Sequence, residues 1–395
     1  MKIRTDYRHT IYASYIGYIT QAVVNNLPTL LFLTFRDTFG ISLPRITLLI
    51  TFNFATQLLV DMAGAKFVDR IGYRPCILAA HVFAAAGLCG MASLPFLTPD
   101  PFAGLLTSTV LYAVGGGLTE VLISPIVEAC PTDNKASVMS LLHSFYCWGT
   151  VGVILLATAF LTFVGRDHWR LLCALFALIP LGNTVYFSLV PIARLTEEGE
   201  GMTPGGLFRS RLFWLFVLLM IASGASEQGM VQWASAFAES GLGVPKAVGD
   251  LLGPCLFSVL MGSARVFYAK MSEKIDLVSF LIVSGVFCAL TYAAASLSPA
   301  PILSLLACAV CGATVGILWP GVFSVASASF PKGGTALFAL LALAGDLGCA
   351  GGPTTVGLLS GLIGDDLKKG LIFGAAFPIL LVVCAVRLRT KKNEK

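Results

Sequence analysis

Charge is what this chain has least of. Only 12% of its 395 residues are Asp, Glu, Lys or Arg, about half the share usual in soluble proteins, while 56% are apolar and mean hydropathy is +0.85. That balance excludes a soluble globular protein and leaves an integral membrane protein. Ten-residue alternation of apolar and polar residues is also lacking, which excludes a membrane β-barrel. The apolar segments instead run to about 20 residues or more, the length of a helix that crosses a bilayer, so the class is all-α. Histidine is scarce: His9, His81, His143 and His168 fall in separate regions. No nucleotide loop, metal-spaced His/Cys set or nucleophile elbow occurs, which argues against a membrane enzyme and calls for no cofactor or metal. The eleven cysteines follow no framework spacing; Cys308 and Cys311 share one apolar run and read as small packing residues. No Asn-x-Ser/Thr acceptor is present.

Twelve spans can be read, at 11–35, 45–68, 75–97, 102–128, 137–163, 168–192, 212–237, 248–271, 277–298, 301–329, 334–362 and 370–388. An even number puts both termini on one side. Most Lys and Arg, among them Arg4, Arg8, Arg70, Arg74, Lys274, Arg387 and Arg389, lie at the span ends that share that side. By the positive-inside rule this predicts a multi-pass protein of the cell membrane with both termini cytoplasmic. The net charge of +5 is then a topology signal and needs no nucleic-acid partner. The first apolar run is too long for a signal peptide and lacks a cleavage site, so it is expected to stay as the first span.

The longest connection on the terminal side is ARLTEEGEGMTPGGLFRSR, rich in Gly and Glu. It divides the chain into an expected N-terminal six-helix bundle (1–193), a cytoplasmic linker (194–211) and a C-terminal six-helix bundle (212–395). A repeat supports the division. AKFVDRIGYR after the second span is echoed by AKMSEKIDLV after the eighth, so that Asp69, Arg70 and Ile71 pair with Glu273, Lys274 and Ile275 at one offset. Pro131 and Pro331 stand at nearly the same offset, each opening a turn. Two such halves suit a rocking transporter whose site lies at their interface.

AKFVDRIGYR resembles the loop between helices two and three of the major facilitator superfamily, with Asp69, Arg70, Gly72 and Arg74 in register and Tyr73 in place of a basic residue. The resemblance implies that the Asp pairs with neighbouring helix ends as a latch and that the Gly lets the loop turn. Asp61, two turns earlier, joins these residues as an expected cytoplasmic gate. Within the superfamily, Asn25-Asn26-Leu27, Thr119-Glu120 before Ser124-Pro125, SLLHSFYCWG and GASEQGMVQWASAF resemble the fucose-type sugar:proton symporter group. That resemblance implies that Glu120 matches the group's helix-four carboxylate. Thr29 stands where the group carries an acid and Ser124 where it carries Asn, so fucose itself is not implied.

The residues single out the same places. A carboxylate at mid-bilayer costs roughly 2.5 kcal/mol or more and needs a partner, water or a proton, which makes Glu120 and Glu227 the first candidates for binding substrate or proton. Gly115 to Gly117, a turn before Glu120, would let a neighbouring helix approach closely or let the backbone bend. Gln228, Gln232 and Trp233 put amides and a ring near Glu227, a combination suited to a sugar; Trp233 reads equally well as an interfacial residue. Asp346 lies in a Gly-rich span, with Arg265 either its countercharge or snorkelling outward. His143 could relay protons or be hydrogen-bonded scaffolding. Asn25, Asn26, Tyr146 and Trp319 complete the candidate lining. The expected function is a monomeric secondary transporter of a small polar organic solute, a sugar or sugar-like acid, coupled to protons through Glu120, with Glu227 as a second candidate, and working in the bilayer by alternating access. A proton-linked exporter of amphipathic drugs or metabolites is the alternative. Against it, the helix-five run keeps Gly149 and Gly152 but lacks the Pro of the drug-antiporter motif.

Overall fold

The computed structural model describes residues 2–41, 43–193, 201–237, 251–363 and 367–393. Part of the expected linker (194–200), the first residues of the eighth span and the acids Asp365 and Asp366 lie outside these ranges. Every regular element among the described residues is helical. The α-helices are α1 Tyr7–Leu30, α2 Phe32–Phe39, α3 Leu43–Ile71, α4 Tyr73–Leu97, α5 Pro101–Ala129, α6 Lys135–Phe163, α7 Trp169–Leu189 and α8 Pro204–Phe208. They continue with α9 Arg211–Ala236, α10 Leu256–Met271, α11 Leu277–Leu297, α12 Pro301–Val315, α13 Leu318–Ser329, α14 Gly334–Leu362, α15 Leu367–Gly374 and α16 Ala376–Asn393.

Among the described residues, ten helical segments are long and apolar enough to cross a bilayer. The 24-residue α1 and the 29-residue α3 are long enough but carry more polar side chains, and they complete the twelve spans of an integral membrane protein built as two six-helix bundles. Helix starts follow local chemistry. Asp6, Asp100, Ser210 and Asp276 cap α1, α5, α9 and α11 by accepting from backbone N–H groups of the first turn, and Pro101 follows its cap at the first helical position. At the Asp100 cap, Arg45 makes a 2.7 Å ion pair and lies over the Phe102 ring; the guanidinium holds the Asp100 carboxyl below its usual range.

Among the described residues three expected spans are interrupted. The first breaks at Leu31, three residues after Pro28. The tenth breaks at Gly316 and Ile317, because Pro320 has no N–H to offer the Gly316 carbonyl. The last breaks at Ala375, where Pro378 does the same to Gly374.

By internal contacts the chain forms two compact units. The first comprises Met1–Pro131, Phe145–Gly201 and Gly334–Ala339; the second comprises Thr132–Ser144, Met202–Gly333 and Leu340–Lys395. In the first, α4 packs along α5 so closely that a Cβ on Gly115 would fall 2.5 Å from the Ala84 backbone nitrogen. Of the two readings of the glycine run, close helix approach is the one seen there. His81 and Asn183 tie the unit's helices together. The His81 Nδ1 donates to the Ile77 carbonyl, so its Nε2 accepts from the Asn183 amide at 2.8 Å, and that amide also donates to the Ala13 carbonyl. Large apolar side chains such as Leu59, Leu156, Phe163 and Leu362 lie on the outside, as lipid contact requires.

The turn between α3 and α4 depends on Gly72, whose φ is +98° and ψ 150°, a region essentially confined to glycine that costs a side-chain-bearing residue about 1–3 kcal/mol. Gly72→Ala should lower the midpoint of thermal unfolding in detergent by a few degrees. Gly182→Ala, where a Cβ meets nothing within 4 Å, should leave it unchanged or raise it. Equal midpoints for the two variants would remove this account of the turn.

Candidate functional site

In the first unit the polar side chains gather on α1. Tyr18, Gln21 and Asn25 recur at helical spacing and so share a face. The Tyr18 hydroxyl lies 3.1 Å from that of Ser124. The Gln21 Nε2 donates to Glu120 Oε2 at 3.2 Å. From α3, the Gln57 Nε2 donates to both Asn25 Oδ1 at 3.1 Å and Asn53 Oδ1 at 3.0 Å. A Cβ on Gly116 would come 3.2 Å from Gln21 Oε1 and 3.6 Å from Gln57 Nε2, so a glycine leaves room for two amides to flank α5. Asn26 donates to the Ala22 carbonyl and to Thr150, whose hydroxyl bonds the Tyr146 carbonyl. Tyr15 stacks on Phe145 at 4.2 Å.

Asn26 meets Thr150, which bonds the backbone carbonyl of Tyr146, while Glu120 and Asn25 belong to one polar seam of the first unit. Its connecting residues, Gln21, Asn53 and Gln57, escape a reading that weighs ionisable groups first. Their signal is the Asn53, Gln57, Asp61 series, one helical turn apart in an apolar run. Gln21 is 2% exposed, and its Oε1 accepts no hydrogen bond from the described residues. Thr29, at the position where the sugar symporter group carries an acid, is exposed and donates to the Asn26 carbonyl.

The second unit holds a buried charge centre. Arg265 of α10 is 3% exposed. Its Nε donates to the Gly316 carbonyl at 2.7 Å and its Nη1 to the His143 carbonyl at 2.8 Å. The first acceptor is the one that Pro320 leaves without its helical donor. Nη2 lies 3.6 Å from Glu227 Oε2, an ion pair longer than a hydrogen bond. The Gln228 amide donates to Glu227 Oε1 and the Gln232 amide to Gln228 Oε1. Arg265 thus stays inside the protein rather than snorkelling, and it pairs with Glu227.

The first turns of α6 run along α10 through further polar contacts: Asn134 to Ser272, Ser137 to the Ala269 carbonyl and Ser140 to the Arg265 carbonyl. His143 is buried next to Phe323, and Phe323 meets Trp319 edge-on at 6.1 Å. Trp319 packs on Gly345, immediately before the half-buried Asp346. The indole N–H of Trp233 donates to the Pro353 carbonyl at 2.9 Å and the ring lies on Gly357, so its polar edge is engaged by α14. The Cys311 sulfur lies 3.8 Å from that of Cys288, both fully buried.

The residues after α3 gather at helix ends. Asp69 accepts from the Thr335 hydroxyl at 2.7 Å, at the first turn of α14, and Tyr73 shares the same hydroxyl. An anion is favourable at a helix N-terminus. Arg74 does the converse: its guanidinium donates to the carbonyls of Phe187, Ser188 and Val190 at 2.7 to 2.9 Å, where α7 runs out of backbone donors. Asp61 is 1% exposed, and Arg70 lies on the surface.

Twelve spans in two bundles, with acids and amides kept inside, define a polytopic helical transporter. The chain belongs to the Major Facilitator Superfamily, whose family model matches residues 14–353. It is 23% identical over 360 residues to the membrane protein MosC of Rhizobium meliloti, spanning 87% of this chain and 84% of that one. Its fold is shared with the E. coli fucose:proton symporter FucP, at a TM-score of 0.82 and 13% identity over 97% and 99% of the two chains. It is shared too with the human organic anion transporter MFSD10 (TETRAN), at 0.75 and 14% over 97% and 100%.

Removing one member of a buried ion pair such as Glu227–Arg265 costs about 3–5 kcal/mol. Arg265→Met and Glu227→Gln should each lower thermal stability sharply, and Arg265→Lys should not restore it, since an ammonium lacks the planar fork that reaches two carbonyls. The double variant Glu227→Gln/Arg265→Met should recover most of the loss. Additive single effects in that cycle would refute the coupling.

Proposed function

We propose that this chain is a secondary active transporter that carries a small polar organic solute, a sugar or sugar-like acid, in step with protons across the cell membrane, both termini being cytoplasmic. The observation that carries the reading is the pairing of Glu120 with Gln21. The amide's N–H side already bonds the carboxylate, while its buried carbonyl oxygen lacks a donor among the described residues. A proton on Glu120 supplies such a donor and removes a charge from hydrocarbon, so both protonation states find compensation and the site can load and unload a proton.

Glu227 and Arg265 set the sign of the solute. The Arg265 guanidinium beside Glu227 brings positive charge to the site, and a carboxylate on the incoming solute pairs with it favourably. This favours the sugar-like acid over the neutral sugar. Asn25, Asn26, Gln228, Trp233, His143, Tyr146, Asp346 and Trp319 are assigned to the lining. Asp61, Asp69, Arg70, Gly72 and Arg74 are assigned to the cytoplasmic gate. The working arrangement is an N-terminal bundle (1–193), a linker (194–211) and a C-terminal bundle (212–395) in a monomer. That a fucose:proton symporter and an organic anion transporter share this fold supports the class of solute and the coupling.

The test uses purified protein in pH-clamped proteoliposomes. Solutes are first ranked by thermal stabilisation, since a ligand stabilises the state it binds. Uptake of the best sugar acid should acidify the lumen. Glu120→Gln should lose about tenfold or more of proton-driven accumulation while keeping downhill exchange. Undiminished proton-coupled uptake in Glu120→Gln would reject the assignment.

A further inference from the structure

Within the second unit, a groove of about 520 Å³ runs between the start of α9 and the end of α16. Arg211 and Arg387 stand exposed on either side of it. Its floor is Leu215, Leu218 and Val386, with Trp214 half exposed over it. Among the described residues none of the lining is acidic, so within them two guanidiniums share one groove with no carboxylate among its walls. The one other polar lining group, the Thr390 hydroxyl, is spent on the Val386 carbonyl.

The positive-inside rule explains why arginines sit at these helix ends. It does not explain an apolar trough between them. That trough follows both helices inward to surfaces that are themselves apolar and exposed, at Leu218 on α9 and at Val383 and Val386 on α16. The indole N–H of Trp214 is fixed on the Phe208 carbonyl at 2.8 Å, which holds the ring at the depth of the helix start, where aromatic rings sit at the headgroup level of a bilayer. Polarity thus changes along the groove from cationic, through aromatic, to aliphatic. An amphiphile with a negative head has the same order.

We propose that this groove is a binding site for one anionic phospholipid of the bilayer. The phosphate lies between Arg211 and Arg387, the glycerol region against Trp214, and the acyl chains along Leu215, Leu218 and Val386. The site is separate from the transport reading and does not depend on it.

The full chain, purified in neutral detergent, is titrated with brominated phosphatidylglycerol, brominated phosphatidylcholine or inorganic phosphate while tryptophan fluorescence is recorded. Phosphatidylglycerol should quench saturably and at far lower concentration than phosphatidylcholine, and Trp214→Phe should remove that component. Arg211→Gln and Arg387→Gln should each weaken it about fivefold, roughly the contribution of one basic residue near a membrane surface. The double variant should lose the headgroup preference, and Arg211→Lys/Arg387→Lys, which keeps the charges, should retain most of it and report on folding. Inorganic phosphate should not compete at millimolar concentration. Equal quenching by both lipids, an unchanged preference in the double glutamine variant, or full displacement by inorganic phosphate would overturn the proposal.

Discussion

A guanidinium inside a membrane protein has to be surrounded by acceptors or it will not stay there. Arg265 is surrounded, and one of its acceptors exists because of a proline two spans further along the chain. Pro320 cannot donate to Gly316, the tenth span breaks, and the released carbonyl takes the Arg265 Nε. The break would be costly in lipid if the carbonyl were left alone. The arginine would be costly if it had only the distant Glu227 oxygen to face. Each defect compensates the other, so the interrupted helix and the buried charge are one structural feature.

The first unit solves the same problem without a cation. Its polar atoms are placed on one face of α1 and met by amides from α3 and by Glu120 and Ser124 from α5. Small residues make this possible. Gly115 brings α4 against α5, and Gly116, next in sequence and turned toward α1 and α3, leaves the space that Gln21 and Gln57 use. The result is a seam of neutral donors and acceptors with one carboxylate, which an amide N–H holds in place. In the second unit Glu227 instead faces a guanidinium at 3.6 Å and the Gln228 amide. The two acids are therefore chemically unlike, although the sequence presents both as lone acids in apolar runs.

The fold was legible because its cause is compositional. Apolar runs long enough to cross a bilayer, a scarcity of charge and a half-length echo of AKFVDRIGYR point to twelve helices in two bundles, and the Asp, Arg, Gly and Arg of that motif to the family. The individual acids were legible for the same reason, since each stands out against hydrocarbon. Their partners were not. Arg265 lies one span after Glu227, two before Gly316 and three after His143, and no spacing rule links them. Asparagine and glutamine carry no charge, so Gln21, Asn53 and Gln57 look ordinary until the helices are packed. Trp233 could be read as an aromatic platform or as an interfacial residue, and nothing in the sequence foretells that its indole N–H reaches the Pro353 carbonyl.

The internal repeat shows what a sequence echo preserves. After α3 the chain turns through Gly72 at positive φ, and Asp69 spends its carboxylate on Thr335 at the start of α14. After α10 the chain turns without a left-handed glycine, and Asp276 caps α11 itself through Ser279. Glu273 and Lys274, the counterparts of Asp69 and Arg70, lie on the surface. Charge and position are repeated, but the bonds are not. One copy of the motif reaches the start of α14 through a carboxylate, and the other reaches the start of α6 through Ser272 and the Ala269 carbonyl, so both join distant parts of the chain, but with different groups.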